Sequence, residues 1–231
     1  MTSADGSPPP TIPPTSSAVA AEQVAAAKAT QRSRLRAARR HRTVSGQDSA
    51  GLSAEGLALL SSLMSDDIRA VAAFLPGPEE PPLGTLFEAL TAQGTSIYLP
   101  VCEPGFRLSW TLWWPGEPLV RSTLAPVWEP VGERLGVEVM ERVGGWLIPA
   151  LAVTADGVRL GYGGGYYDRF MALVDRSTAS HQVPRIAVVF TDEVLPAGSI
   201  PHTAQDLRVD AVLTPEFRRE LGPEAGSSPA G

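Results

Sequence analysis

Cysteine and histidine are scarce in this sequence of 231 residues. Cys102 is its one cysteine, which excludes an internal disulfide framework and a cysteine-based zinc site. A chain that forms no disulfide suits a reducing compartment, so we expect a cytoplasmic protein. The three histidines lie far apart in the sequence, which argues against a histidine metal cluster; they are His41, His181 and His202.

Long hydrophobic runs are also missing. No apolar stretch approaches the ~18 residues that a membrane span needs, and residues 1–27 lack the basic start and apolar centre of a secretory signal. We therefore expect no membrane partner. Residues 1–17 are rich in Pro, Ser and Thr without periodicity, which predicts a disordered leader. Residues 222–231 predict a similar tail, which leaves a single α/β domain over residues 18–221.

Lysine is nearly absent, and positive charge is concentrated in one segment. Lys28 is the one lysine, and the net charge is −6. Residues 28–42 carry seven basic side chains and no acidic one, whereas the chain from Thr43 onward carries 12 basic and 23 acidic side chains, a net charge of −11. Lys28, Arg32 and Arg39 share one face of an Ala-rich helix predicted over residues 18–44. This pattern fits an anion-binding face, and equally a solvated basic face.

Short apolar runs alternate with helical segments through the rest of the chain. Residues 69–75 and 96–101 predict strands on either side of a helix at 83–93, a spacing typical of a parallel βαβ unit. A further helix is predicted from a cap at Ser53 to Met64. The remaining predicted elements are strands over 107–114, 146–152, 185–190 and 209–213, and a helix over 166–174. These elements predict an α/β fold, a layered domain with a mainly parallel central sheet flanked by helices.

A glycine-rich segment after the strand at 146–152 carries the clearest functional signal. Such a loop can turn its backbone N–H groups toward one point, and the helix that follows offers further unpaired N–H groups. Arg159 can add charge-assisted hydrogen bonds to phosphate oxygens. Asp168 could simply be a helix-dipole acid, but beside a phosphate it is also a suitable magnesium ligand. The glycines are Gly161, Gly163, Gly164 and Gly165.

Two familiar phosphate-binding motifs do not match this segment. The P-loop requires a lysine after its last glycine, and no lysine lies near. The dinucleotide fingerprint requires a third glycine where Tyr166 stands, and it opens the first βαβ unit, whereas this loop lies late in the chain. An NAD-type dehydrogenase is therefore disfavoured.

The glycine-rich segment resembles the signature of a known family. Residues 159–169, RLGYGGGYYDR, closely resemble the signature of 5-formyltetrahydrofolate cyclo-ligase, also named 5,10-methenyltetrahydrofolate synthetase. Residues 149–153, PALAV, resemble the strand that precedes it, and the resemblance spans about residues 28–215. It implies ATP- and Mg²⁺-dependent cyclisation of 5-formyltetrahydrofolate to 5,10-methenyltetrahydrofolate, with release of ADP and phosphate, through an iminium phosphate intermediate.

Other parts of the chain resemble the same family. Lys28 and Arg32 are similar to its N-terminal K-x-x-L-R element, although a second frame over residues 32–36 restores the leucine and gives up the lysine. Residues 75–81 resemble its folate-binding turn. Asp206, with the Val-Asp and Leu-Thr-Pro that follow, resembles its C-terminal element.

The resemblance also implies roles for individual residues. Arg159 and Lys28 would be catalytic, and Asp168 and Asp206 would hold Mg²⁺. ATP would be held by Lys28, Arg32, Arg159, Leu160, Gly161, Tyr162, Gly163, Gly164, Gly165, Tyr166 and Tyr167. The folate would be held by Leu75, Glu80, Tyr166 and Tyr167. Taken alone, Glu80 more readily solvates its Pro-rich turn, whereas the two tyrosines could equally pack on a helix face.

Two other functions are compatible with parts of the pattern. The basic helix could be a nucleic-acid-binding arm, but the acidic body would repel polyanions. The glycine loop could serve a non-catalytic sensor of a phosphorylated metabolite, which would not require Asp168 or Asp206. We expect a monomer that acts on small molecules, with no nucleic-acid partner.

Overall fold

Helices and strands alternate along the chain in the computed structural model, which describes residues 16–64, 68–176, 183–203 and 206–222. The α-helices in these residues are α1 to α4, at Ser16–Arg40, Gly46–Leu63, Gly84–Ala92 and Tyr166–Val174. The strands are β1 to β12, at Ala70–Ala72, Ser96–Glu103, Arg107–Trp113, Leu119–Arg121, Trp128–Pro130, Trp146–Pro149, Ala152–Thr154, Arg159–Leu160, Arg185–Val188, Val194–Leu195, Ala211–Leu213 and Arg218–Glu220. Two short 3₁₀ helices lie at Val137–Glu141 and Thr191–Glu193. None of the helices in the described ranges is long and apolar enough to cross a membrane.

A seven-stranded sheet forms the centre, in the order β12-β11-β9-β6-β1-β2-β3. Its inner strands from β11 to β2 are parallel, and the two edge strands pair antiparallel. The unit β1-α3-β2 is the predicted parallel βαβ unit, with Val71 opposite Ile97. A small sheet, β10-β7-β8, and a two-stranded hairpin, β4-β5, stand beside it. The predicted α/β class with a mainly parallel central sheet is confirmed.

Alternate side chains of the inner strands pack on opposite faces of the sheet. Val71 packs on one face with the leucines of α2 and α3, whereas Ala72 packs on the other with Phe170 and Met171 of α4. Because successive strand residues point to opposite faces, a strand covered on both sides reads as a continuous apolar run. This is why the sequence reveals these strands as short apolar segments.

Several boundaries differ from the sequence-based predictions. α1 begins at Ser16, inside the predicted leader, and ends at Arg40; the rest of the leader lies outside the described residues. α2 begins at Gly46 and not near Ser53, because Ser45 and Asp48 form a reciprocal capping box. The strand predicted over 146–152 is two strands, since the Leu151 N–H already bonds to the Leu160 carbonyl of the small sheet.

Candidate active site

A cavity of about 900 Å³ opens at the carboxyl ends of the inner parallel strands. Its walls come from α1, the turn after β1, the end of β2, the β4-β5 hairpin and the loop between β8 and α4. Open parallel sheets place ligands at this edge, because loops from several strands converge there. The cavity therefore lies where the topology predicts a binding site.

The loop between β8 and α4 presents unpaired backbone donors. Gly165, the N-cap of α4, has φ +72°, and a Cβ there would lie 2.6 Å from Nη1 of Arg169, so this position requires glycine. No side chain caps the helix. Among the described residues, no backbone N–H from 162 to 168 donates a hydrogen bond. A run of free N–H groups at a helix N-terminus is suited to binding an anion.

Arg159 lies against this loop and is almost fully buried. Its Nη2 donates to Oδ1 of Asp168 at 2.9 Å, and its Nη1 donates to the Pro149 carbonyl at 3.0 Å. A Cβ at Gly161 would lie 2.8 Å from Nη1, so the guanidinium needs glycine there. Its Nε is buried and has no partner in the described part of the chain.

The cationic face of α1 packs on the glycine loop. Lys28 forms an ion pair with Asp206, and Nε of Arg32 donates to the Gly161 carbonyl at 2.9 Å. Arg36 donates to the Tyr162 carbonyl at 2.5 Å. Arg32 and Arg36 therefore bond to carbonyl groups of the loop and take up none of its N–H donors. The sequence pattern allows either a solvated basic face or an anion-binding face. The structure excludes the solvated face, because these cations contact the glycine loop and Asp206.

Burial and nearby charges shift the pKa values in this face. Burial lowers the pKa of Arg32, and the neighbouring Arg36 lowers it further. Burial by itself would raise the pKa of Asp206, but Lys28 and the Thr203 N–H, at 2.6 Å, hold that pKa below its usual range. Asp206 is therefore a carboxylate at neutral pH, as a metal ligand must be.

Arg39 forms a buried polar network that sequence reasoning missed. Its Nε and Nη2 donate to the two carboxylate oxygens of Glu193, both at 2.7 Å. Nη2 also donates to the Ala150 carbonyl at 2.7 Å, and Nη1 donates to the Tyr162 hydroxyl. Although burial lowers the pKa of Arg39, the hydrogen bonds to Glu193 raise it overall. The network joins α1 to the segment that follows β9. The one sequence signal for Glu193 is its position just after the carboxyl end of a parallel strand, where binding sites of such sheets form.

The turn after β1 supplies the other polar wall. Oε2 of Glu80 accepts the Gly77 N–H at 2.7 Å, and Leu75 lies beside it in the cavity wall. Burial raises the pKa of Tyr162, and the charge of Glu80 adds to the rise. Burial and Glu80 likewise raise the pKa of Tyr167, whose buried hydroxyl has no partner in the described ranges. The turn that carries Glu80 therefore lies near two tyrosine side chains, Tyr162 and Tyr167, whose hydroxyl groups stay protonated.

The β4-β5 hairpin forms the third wall and was not predicted. It is fixed to β2 by Glu129, whose buried Oε1 accepts the Cys102 N–H at 2.8 Å. Burial and the Glu129 carboxylate raise the pKa of Cys102 to about 12. The exposed Trp128 and Val127 line the cavity on this side. The wall is mostly apolar.

Two carboxylates lie close to the phosphate-binding loop. Oδ1 of Asp168 accepts the N–H of Leu207 at 3.3 Å, which places it beside the segment that carries Asp206. In the described residues no group of three or more His, Cys, Asp or Glu side chains could hold a metal. Any metal here would therefore need further oxygen ligands from a bound phosphate or water.

Most of the sequence-predicted site residues meet in this cavity. The exception is Leu160, whose side chain is fully buried with Ala152, Val158 and Ile200 and forms no part of the cavity wall. Because Leu160 belongs to β8, its side chain points into the small sheet's own core. The predicted residues that line the cavity are Lys28, Leu75, Glu80, Arg32, Arg159, Gly161, Tyr162, Gly163, Gly164, Gly165, Tyr166, Tyr167, Asp168 and Asp206.

Comparison with known proteins identifies the family. The model of the 5-formyltetrahydrofolate cyclo-ligase family matches residues 24–215, most of the chain. The chain belongs to the 5-formyltetrahydrofolate cyclo-ligase family. The resemblance seen in the glycine-rich signature is thereby confirmed, and the protein is a ligase of folate metabolism.

Two curated relatives carry the same activity in their names. The 5-formyltetrahydrofolate cyclo-ligase of Mycolicibacterium smegmatis is 35% identical over 153 residues, 64% of this chain and 74% of the relative. The mitochondrial 5-formyltetrahydrofolate cyclo-ligase of Arabidopsis thaliana is 37% identical over 86 residues, 36% of this chain and 31% of that protein. These relatives support cyclo-ligase activity for this family member.

Two solved structures share the fold. The NMR structure of Aquifex aeolicus 5,10-methenyltetrahydrofolate synthetase superposes with a TM-score of 0.63 at 26% identity, covering 88% of this chain and 96% of that one. The 5,10-methenyltetrahydrofolate synthetase of Mycoplasma pneumoniae has a TM-score of 0.61 at 17% identity, covering 80% and 97%. At that identity the second likeness shows the fold alone.

Proposed function

We propose that this cyclo-ligase couples ATP hydrolysis, with Mg²⁺, to the cyclisation of 5-formyltetrahydrofolate to 5,10-methenyltetrahydrofolate. The observation that carries the proposal is the row of free backbone N–H groups at residues 162–168, which shares one cavity with Glu80. For ATP and a folate to react, one cavity must contain both a phosphate-binding loop and a group that accepts hydrogen bonds from the N–H groups of the pterin ring. We further propose that the enzyme acts as a cytoplasmic monomer.

The triphosphate is assigned to the loop and the cations around it. The free N–H groups of the loop would bind phosphate oxygens, and Lys28, Arg32 and Arg159 would balance their charge. The assignment of Arg159 to the triphosphate is supported by its Nε, a buried donor without a partner in the described residues that a phosphate oxygen could satisfy. Since the transferring phosphoryl group gains little covalent help from a protein, holding and neutralising it is the main catalytic task.

The residues present fit a magnesium ion. Asp168 and Asp206 offer carboxylate oxygens beside the proposed phosphate site, and Mg²⁺ commonly binds through one or two carboxylates together with phosphate oxygens. When bound, the ion would neutralise charge on the phosphates during transfer. Each aspartate is paired with a cation assigned to the triphosphate, Arg159 or Lys28, so charges of both signs alternate across the site.

The folate is assigned to the other walls. The Glu80 carboxylate accepts the Gly77 N–H through Oε2 and interacts with the Tyr162 hydroxyl, and its two oxygens have capacity for further N–H donors from a pterin edge. Leu75 would pack on the ring, and the hydroxyl of Tyr167 could donate to a ring or formyl oxygen. The side chains of Tyr166 and Tyr167 would lie between the two substrates, since both follow directly on the phosphate loop.

The proposed reaction makes a poor leaving group into a good one. The formyl oxygen attacks the γ-phosphorus and displaces ADP, which gives an iminium phosphate. The nitrogen at position 10 then attacks the iminium carbon and loses its proton, and phosphate departs with the former formyl oxygen. The chain's contribution is to align the formyl oxygen with the γ-phosphorus and to neutralise the phosphoryl charge.

A product assay with single omissions tests the proposal. The protein is incubated with 5-formyltetrahydrofolate, ATP and Mg²⁺, and the near-ultraviolet absorption of the methenyl product is followed. We expect product only in the complete mixture. Product formed without ATP would contradict the coupling, product formed in EDTA would contradict the metal assignment, and no product in any mixture would contradict the proposed activity as a whole.

A further inference from the structure

Arg121 stands apart from the other cations of the cavity. It ends β4 of the hairpin and lines the cavity, with its guanidinium carbon 5.7 Å from the ring centroid of Trp128. It forms no hydrogen bond or ion pair with any residue that the structure describes. The other cations in the cavity wall each bond to a carbonyl or carboxylate; they are Lys28, Arg32, Arg36, Arg39 and Arg159.

The surface beside Arg121 is apolar and exposed. Trp128 and Val127 are 52% and 40% exposed, yet both line the cavity. Pro126 and Ala125 continue the same wall. The hairpin that carries them is fixed in place, because the buried Glu129 accepts the Cys102 N–H of β2. An apolar platform with one free cation at its side suits a ligand in which a ring is joined to an anionic group.

We propose that Arg121 is a specificity residue that binds a carboxylate of the folate's glutamate tail, with Trp128 and Val127 packed on the aminobenzoyl ring. The proposal rests on the proposed function, because it takes the folate as the ligand. A guanidinium can stack its face on an indole while its edge donates to a carboxylate, so the contact with Trp128 orients Arg121 without occupying its donors. The pterin end would remain at Glu80 and the phosphates at the glycine loop.

The test compares two substrates that differ only in the tail. Kinetics and equilibrium binding are measured for 5-formyltetrahydrofolate and for 5-formyltetrahydropteroate, which lacks glutamate, with wild type, Arg121→Gln and Arg121→Lys. Arg107→Gln is the matched control, because Arg107 is an exposed arginine of the neighbouring β3 that does not line the cavity.

Arg121→Gln is expected to raise KM and Kd for the glutamylated substrate and to leave the pteroate almost unchanged. A charge-assisted contact at a water-exposed edge is weaker than a buried one, so the increase should be roughly three- to tenfold. Arg121→Lys should recover part of the lost affinity. In both variants kcat and the KM for ATP should stay at their wild-type values. Added salt should reduce the preference of the wild type for the glutamylated substrate.

Three outcomes would overturn the proposal: equal losses for both substrates in Arg121→Gln, no loss for either, or the same loss in Arg107→Gln. Binding and turnover separate this inference from the proposed function. A wild type that binds the folate, prefers it to the pteroate through Arg121, and yields no methenyl product would refute the reaction and support the tail site. A wild type that binds neither substrate would refute both.

Discussion

Neutralising Glu193 should destabilise the fold far more than neutralising its neighbour Asp192. Glu193 and Arg39 have side chains only 4% and 1% exposed, and they share two hydrogen bonds of 2.7 Å. Glu193→Gln keeps the shape but leaves the guanidinium charge buried without a counter-ion. Removing one partner of a buried ion pair costs about 3–5 kcal/mol.

The adjacent ion pair is a matched control. Arg42, just after the end of α1, pairs with Asp192 of the same 3₁₀ helix that carries Glu193, but the two side chains are 27% and 67% exposed. Asp192→Asn should therefore cost about 1 kcal/mol or less, because water screens the pair. A third variant, Arg39→Met with Glu193→Met, should lose less stability than Glu193→Gln, because it leaves no unpaired charge in the core.

Urea and thermal unfolding followed by circular dichroism measure the three variants. For a domain of this size each kcal/mol shifts the melting temperature by about 2–4 °C, so Glu193→Gln should melt roughly 6–20 °C below wild type. If Glu193→Gln and Asp192→Asn differed by less than about 1 kcal/mol, burial would not control the strength of these pairs and the reasoning would be wrong.

Three further predictions concern the cavity. Asp168→Asn should lower kcat by ~10²–10³ with the fold intact by circular dichroism, because it removes charge next to the transferring phosphoryl group; kinetics near wild type would make Asp168 a helix-dipole acid only. Lys28→Ala should raise the KM for ATP more than it lowers kcat and should leave the KM for folate nearly unchanged, with Lys28→Arg recovering only part; a change confined to stability would refute the phosphate assignment. Cys102, with its pKa raised to about 12, is a protonated thiol at pH 8. It should react with iodoacetamide about a hundredfold slower than an unstructured cysteine peptide, because the loss of thiolate is only partly offset by higher nucleophilicity; equal rates would contradict the shift.

Local patterns in the sequence were enough to predict the parallel sheet and the glycine loop. The strands around Val71 and Ile97 are covered on both faces, so they appear as apolar runs separated by a helix. The loop at 161–165 is predictable because positive φ angles, here at Gly163 and Gly165, and close backbone approach both favour glycine, a residue that is visible in any sequence.

The missed features depend on long-range contacts. Arg39 and Glu193 lie 154 positions apart, and no local pattern distinguishes this ion pair from the exposed one beside it. The β4-β5 hairpin has strands of only three residues and contains prolines, so it has no clear alternation. The sequence pattern predicts that α2 begins near Ser53, whereas the helix begins at Gly46, because the Ser45–Asp48 capping box stabilises an earlier start in a segment that contains glycines.

The fate of the formyl oxygen tests the central claim most directly. 5-Formyltetrahydrofolate carrying ¹⁸O in the formyl group is converted with unlabelled ATP and Mg²⁺ in ordinary water, and the released phosphate is analysed by mass spectrometry. If the formyl oxygen attacks the γ-phosphorus at this site, each phosphate released with methenyl product carries one ¹⁸O. Unlabelled phosphate, formed in step with product, would mean that water attacks ATP instead and would contradict the proposed mechanism.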